Sequence, residues 1–104
     1  MVLEIYNVTK EFPKDEVFIL VSQIRRAAIS VPANIVEGFR RKSLKDSVNF
    51  YYMANASLEE LRYHILLSKD LKYISEGKYQ QLEGLMDEVS KVLNSWIKSQ
   101  KDFF

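Results

Sequence analysis

The side chains best suited to chemistry are a run of basic residues in the first half of the chain. Between Arg25 and Lys45 six basic residues face a single acid, Glu37, whereas the whole chain has 15 basic and 14 acidic residues. The six are Arg25, Arg26, Arg40, Arg41, Lys42 and Lys45. Cationic groups on a helix and its following loop bind phosphates through charge, with an affinity that salt weakens. The run therefore predicts electrostatic binding of structured RNA or DNA.

Two other interpretations of these cations stay open. Basic side chains at the end of a helix also complement the negative C-terminal end of the helix dipole, which would explain residues 40–45 without any ligand. Arg25 flanks the predicted core and Arg26 points away from it. Either arginine could instead pair with an acid across an interface, and the available acids are Glu37, Glu59 and Glu60.

The sequence indicates no catalytic centre, metal site or cofactor. His64 is the single histidine and Glu60 lies four residues before it, whereas helical di-metal sites use Glu-x-x-His pairs on two helices. We therefore expect a plain surface or hydrogen-bonded histidine. Cysteine is absent, and no phosphate-binding loop, nucleophile elbow or zinc-protease motif occurs. Glu37 is expected to form an ion pair with Arg41 one turn later, beside a close-packing position at Gly38.

The elements that must position the basic residues are predicted to be helices. With only three glycines and two prolines in 104 residues, the chain has few turns and long elements. No segment alternates with the period of two that a strand requires. The fold class predicted is all-α, a single domain (1–104) that forms an antiparallel up-and-down four-helix bundle with a short first helix. The predicted helices are 2–11, 14–41, 44–73 and 76–101.

The second predicted helix carries a core stripe that stays in phase on both sides of Pro32. Its apolar residues recur at spacings of three and four: Val17, Leu20, Val21, Ile24, Ala28, Val31, Ile35 and Phe39. Proline removes one backbone donor and clashes with the carbonyl four residues earlier. We therefore predict a kink rather than an end, with Ser30 able to cap a restarted helix if the break is complete.

The third predicted helix begins with a capping box, Ser43 to Asp46, and is apolar on two opposite sides. One stripe predicts the core: Leu44, Tyr51, Ala54, Leu58, Leu61 and Ile65. Because so small a domain has too few helices to cover the other side, the second stripe predicts the interface of a homo-oligomer. That stripe consists of Tyr52, Ala56, Tyr63, Leu67 and Ile74.

Aromatic residues on the surface offer a second way to bind nucleic acid. If exposed, Tyr51, Tyr52 and Tyr63 could stack on bases beside a basic patch. Their places on the two apolar stripes favour packing instead. The fourth helix is predicted to be a plain amphipathic outer helix, with Tyr79, Val92 and Trp96 among the residues of its apolar side.

Three segments carry a resemblance to a known family: FPKDE at 12–16, SQIRRAAISVPANIVEGFRRKS at 22–43, and LEEL at 58–61. They resemble proteins encoded by intervening sequences in bacterial 23S rRNA genes, the S23-type ribosomal proteins, and the resemblance covers essentially the whole chain. It implies a four-helix bundle that assembles as a homopentamer, similar in fold to the accessory protein of diversity-generating retroelements. It also implies a basic surface for nucleic acid, mapped here onto Arg25, Arg26 and Arg40, and no catalytic residues.

Two functions follow as hypotheses. The first is a non-enzymatic oligomer that binds RNA or DNA through the basic patch. The alternative is a structural scaffold that contacts a protein partner, such as a reverse transcriptase or a ribosomal component. The N-terminus lacks the pattern of a signal peptide, and the longest uncharged run, 47–58, is too short to span a bilayer. With no cysteine, a cytoplasmic protein without a membrane partner is expected.

Overall fold

The computed structural model describes residues 1–14 and 17–102, which form four helices and no strand. The helices are α1 (Val2–Thr9), α2 (Phe18–Phe39), α3 (Leu44–Asp70) and α4 (Glu76–Lys101). This confirms the predicted all-α bundle with a short first helix. The bounds of α4 are those predicted, whereas α1, α2 and α3 each end two or three residues early. Helix α2 begins at Phe18, four residues later than predicted, and residues 15 and 16 of its predicted first turn lie outside the described residues.

The central element is α3, because α2 and α4 both pack against it while α1 packs against α2. The molecule is elongated, with principal extents of 47 × 23 × 18 Å. Since α2, α3 and α4 run in alternating directions, the last turns of α2 and α4 lie beside the first turns of α3. Ring contacts mark this end: the ring centroid of Trp96 is 6.0 Å from that of Phe39 and 6.1 Å from that of Tyr51.

The apolar interior divides into two clusters along the bundle. The larger cluster holds residues of all four helices: Ile5, Val8, Phe12, Val17, Ile24, Ala27, Ala28, Val31, Leu58, Leu61, Ile65, Leu82 and Met86. The smaller cluster holds residues of α3 and α4 only: Val48, Tyr51, Ala54, Leu93 and Ile97. Ile35 packs against both. The buried residues of α2 and α3 confirm most of the two predicted core stripes, but Phe39, predicted in the core, is exposed.

The helix α2 continues through Pro32, as predicted, without a restart. Ser30 does not cap a new helix, because its hydroxyl donates a 2.8 Å hydrogen bond to the carbonyl of Arg26 inside the same helix. The side chain of Asn34 donates to the carbonyl of Ser30, also at 2.8 Å. Side chains that return hydrogen bonds to the preceding turn are compatible with a bent but unbroken helix.

Two serines cap the starts of α3 and α4, and one lysine ends α3. The hydroxyl of Ser43 accepts the backbone N–H of Asp46, which confirms the predicted cap, and Ser75 caps α4 in the same way. Helix α3 ends at Asp70 because Lys72 adopts a left-handed conformation, φ 65°. The N–H of Tyr73 then bonds to the carbonyl of Ser68, and that of Lys72 to the carbonyl of Lys69. This is a Schellman motif formed without the glycine that usually signals one, so it could not be predicted from the sequence.

Candidate nucleic-acid interface

The two N-terminal arginines of the basic run connect helices. The Nε of Arg25 donates to the hydroxyl of Thr9 at 3.0 Å, and its guanidinium lies 4.5 Å from the ring centroid of Tyr6. Both partners belong to α1, so Arg25 ties α1 to α2. Arg26 donates to Glu60 of α3 at 2.9 Å and to Gln23 at 2.7 Å. These contacts favour the structural interpretation of Arg25 and Arg26, and Glu60 is one of the predicted partners.

Residues 40–45 are arranged differently. Arg41 forms the expected ion pair with Glu37, at 2.6 Å, and its guanidinium lies over the ring of Phe50. Arg40, Lys42 and Lys45 are exposed, and none of the three forms an ion pair within residues 1–14 and 17–102. These three are therefore the cations of the predicted patch that are available to a ligand.

The fold adds two further cations that the sequence analysis did not include. Lys98 and Lys101 occupy the last turn of α4, and the Nζ of Lys101 lies 5.7 Å from the ring centroid of Tyr52 on α3. We call the resulting set the basic end: Arg40, Arg41, Lys42, Lys45, Lys98 and Lys101. The sequence does contain a signal for Lys98 and Lys101. Helices α3 and α4 are predicted with similar lengths and are observed with 27 and 26 residues. An antiparallel α4 of that length therefore ends beside the start of α3 and the α2–α3 loop.

The arginine in the middle of the bundle, Arg62, is surrounded by acids. Arg62 of α3 lies within 2.8 Å of Glu83 and 2.7 Å of Asp87 on α4, and within 3.5 Å of Glu59. Burial alone would lower the pKa of Arg62, but the hydrogen bond that it donates to Asp87 and the charges of all three acids raise its pKa above the ordinary value. This arginine stays charged and joins α3 to α4, so it is not available for phosphate.

His64 differs from its prediction. It is half-buried, and neither ring nitrogen has a hydrogen-bond partner among the described residues. Its Nε2 lies 3.8 Å from Oε1 of Glu60, whose carboxylate is already held by Arg26. Within the described parts of the chain, no three His, Cys, Asp or Glu residues are grouped to hold a metal. His64 therefore has no converging partners for acid–base chemistry.

The residues of the predicted oligomer interface differ in their exposure. Tyr52, Ala56 and Tyr63 are exposed on the outer side of α3, and Leu67 is half-buried. Ile74 lies beyond the end of α3 and packs against the larger core cluster. It therefore does not extend the outer stripe, because the Schellman turn redirects the chain before it.

Further exposed apolar residues lie on α2 and α4. On α2 they include Phe18, Ile29, Val36 and Phe39, and on α4 they include Val92 and Trp96. Helix α4 is amphipathic as predicted, with Leu82, Met86, Leu93 and Ile97 buried, but Val92 and Trp96 of its predicted apolar side are exposed, Val92 to 71%. The physical reason is that α2 and α4 both pack on α3 and leave a gap between their own C-terminal halves.

That gap is a groove of about 470 Å³, here called the α2–α4 groove. Its lining residues are Ile35, Phe39, Glu88, Val89, Val92, Leu93 and Trp96. At its end nearest the basic end, the rings of Phe39, Tyr51 and Trp96 pack edge to face with centroids 5.9 to 6.1 Å apart. The apolar α2–α4 groove thus lies next to the cations of the basic end.

Fold and charge together define a small all-helical bundle protein with one basic end. The chain belongs to the 23S rRNA-intervening sequence protein family, whose family model matches residues 1–95. It is also similar to a protein of unknown function from the S23 ribosomal protein family of Bacteroides thetaiotaomicron VPI-5482, known from a crystal structure at 1.70 Å. The two share 28% sequence identity with a TM-score of 0.85, over 93% of this chain and 91% of that one.

No curated protein matches the chain. Among the described residues, none of the helices combines the length and apolar character needed to cross a membrane.

Proposed function

We propose that this protein is a non-enzymatic, oligomeric helical bundle that binds RNA or DNA through its basic end. The observation that supports this most is the contrast between two groups of cations. Arg25, Arg26 and Arg62 are engaged by neighbouring helices, whereas Arg40, Lys42 and Lys45 are exposed and unpaired among the described residues. Cations held free on a rigid helix end attract phosphates without selecting a base sequence.

The description of the family favours RNA as the first ligand to test, because it names intervening sequences of 23S rRNA. The similar Bacteroides protein is described as a member of a ribosomal protein family. The scaffold alternative has its own support in the exposed apolar surface of α2 and α4, since large exposed apolar patches mark protein contacts.

Self-assembly is the second part of the proposal, and a pentamer is the number that the resemblance implies. The outer side of α3 presents Tyr52, Ala56 and Tyr63 without cover in the single chain. Exposed aromatic residues along one helix favour an interface between copies. Several basic ends in one ring would also add their fields, which raises the local attraction for a polyanion.

Charge reversal of Arg40, Lys42 and Lys45 to glutamate should weaken binding to an RNA hairpin by about 40-fold at low salt, the loss expected if each supplies about one phosphate contact. The slope of log affinity against log salt should become shallower by about two to three. Both quantities come from fluorescence-anisotropy titrations at several salt concentrations.

The matched control is Lys78→Glu, an exposed lysine in the first turn of α4 at the opposite end, where an acid also suits the helix dipole. It should leave affinity and salt slope within about twofold of the parent. Circular dichroism should show all variants folded. If the parent fails to bind the hairpin at low salt, or binds equally well at every salt concentration, nucleic-acid binding by the basic end is wrong.

Introducing glutamate at both Tyr52 and Tyr63 should convert the oligomer into monomers, because two charges per copy would be buried at the interface. Light scattering with size-exclusion chromatography measures the mass. Leu3→Glu is the control, since Leu3 is an exposed apolar residue of α1 away from this stripe. A parent protein that is monomeric at micromolar concentration would refute assembly altogether.

A further inference from the structure

The α2–α4 groove opens beside the basic end. Phe39, the last residue of α2, directly precedes Arg40, and both side chains are exposed. The ring of Phe39 meets the ring of Trp96 nearly at right angles, 86°, with 6.0 Å between centroids. Although Phe39 contacts Trp96, its side chain is still 62% exposed. The mouth of the groove therefore presents an exposed aromatic ring next in sequence to an unpaired guanidinium.

We propose that the α2–α4 groove receives unpaired nucleobases, so that the ligand class is single-stranded or bulged nucleic acid rather than uniform duplex. This inference rests on the proposed binding by the basic end and specifies its ligand. Bases stacked inside a duplex expose only their edges, whereas an unpaired base can turn its face onto an aromatic ring. Such stacking contributes about 1–3 kcal/mol per base and tolerates any base, because every base has a flat π surface.

The size of the groove fits this occupant. Its volume of about 470 Å³ lies within the range of small-molecule pockets. Ile35, Val89 and Val92 supply aliphatic walls behind the two rings. Flat heterocycles are well accommodated between an aromatic ring and aliphatic side chains, since both faces of the base are then removed from water.

The charges along the groove give the ligand a direction. Arg40 lies at one end, and Lys91 lines a shallow depression that shares Val92 and Trp96 with the groove. Glu88 lies at the other end, eight residues before Trp96, a distance of about 12 Å along a helix. Phosphates are attracted to the end with the rings and repelled from the end with Glu88. The strand should therefore enter from the basic end and place its bases inward.

The same charges distinguish a nucleobase from an apolar protein surface as the occupant. Arg40 and Lys91 flank the groove at the end that carries the rings and do not line it, so an apolar protein helix in the groove would leave both cations without a partner. A nucleic-acid strand brings phosphates to both. The outer side of α3 has exposed rings as well, but Tyr52 already has Lys101 as its neighbour, and the acids Glu59 and Glu60 lie between Tyr52 and Tyr63 in the sequence. Charge complementarity thus selects the groove.

Trp96 makes the groove directly observable, because it is the only tryptophan of the chain. The protein is titrated with a single-stranded oligothymidylate and, separately, with a blunt DNA duplex of equal total phosphate. The single strand should quench the emission of Trp96 in a saturable way and bind more tightly, whereas the duplex should leave the emission unchanged. Phe39→Ala should weaken single-strand binding by about tenfold and leave duplex binding and the salt slope unchanged.

Further variants separate stacking from folding. Phe39→Leu keeps apolar bulk beside Trp96 but removes the ring, so it should show the same selective loss. Tyr63→Ala removes an aromatic ring that is as exposed as Phe39, 62% in both cases, but lies on the outer side of α3. Because Tyr63 also belongs to the proposed assembly surface, its variant is compared at matched oligomeric state with Phe18→Ala, which removes a 75% exposed ring at the opposite end of α2 and should have no effect on either ligand.

The possible failures are distinguishable. Equal affinity for single strand and duplex, with unchanged emission of Trp96, would overturn stacking in the groove and leave phosphate binding by the basic end intact. No binding of either ligand at low salt would overturn both. If the emission instead shifts with protein concentration and ignores added nucleic acid, a second copy of the chain covers the groove, and the inference is wrong.

Discussion

Replacing Leu61 by alanine should lower the free energy of unfolding by about 3 kcal/mol. Leu61 has no exposed surface and packs in the larger core cluster with Ile24 of α2 and Leu82 of α4. Truncation removes buried methyl groups and leaves a cavity between three helices that cannot close without moving all of them. Urea denaturation followed by circular dichroism measures the change, at several protein concentrations because assembly would add stability.

The matched control lies five residues further along the same helix. Leu66 is 38% exposed, and truncation to alanine should change the free energy of unfolding by less than about 1 kcal/mol. Leucine and alanine are both good helix formers, so the difference between the two variants reports burial. If Leu66→Ala costs as much as Leu61→Ala, the side of α3 that bears Leu66 is buried in solution, and the assignment of core and outer sides is wrong.

Replacing Gly38 by alanine should lower the free energy of unfolding by about 2 kcal/mol, although alanine is the better helix former by about 1 kcal/mol. A Cβ at this position would lie 2.9 Å from Cδ1 of Tyr51 and 3.1 Å from the carbonyl oxygen of Ser47, and it would overlap Cε1 of the same ring. Tyr51 is buried in the smaller core cluster and contacts Phe39 and Trp96. The ring therefore cannot move without disturbing the mouth of the groove.

Gly84 offers the opposite case within the same protein. It lies in the interior of α4, is exposed, and a Cβ there would have no neighbour within 4 Å. Gly84→Ala should therefore raise the free energy of unfolding by about 0.5–1 kcal/mol. Thermal and urea denaturation of the two variants give the comparison. A stabilised Gly38→Ala protein would mean that α2 and α3 lie further apart near the α2–α3 loop than described.

The helices and the starts of α3 and α4 were predictable because each depends on neighbouring residues, whereas α2 begins four residues later than predicted. The cap at Ser43 and the start of α4 follow from local side-chain chemistry, and the core stripes of α2 and α3 follow from periodicity. The end of α3 was not predictable, since Lys72 adopts a conformation that glycine usually signals. Ile74 was placed on the wrong surface for this reason.

The site was only partly predictable, because a helical wheel describes one helix and not its neighbours. Phe39, Val92 and Trp96 have the spacing of core residues, and only the gap between α2 and α4 makes them exposed. Arg25 and Arg26 look as available as Arg40 until their partners on α1 and α3 are known. Lys98 and Lys101 join the basic end through the return of α4, which no local pattern encodes.

The division of the interior into two clusters gives the molecule two units of local unfolding. Residues of α1 contribute only to the larger cluster, and its polar attachment to α2 includes Arg25. The smaller cluster is built by α3 and α4 with Ile35, and it needs no contact from α1. Fraying of α1, with fast amide exchange there, can therefore leave the opposite end protected from exchange. Opening of the N-terminal helix would therefore leave the end that carries the free cations folded.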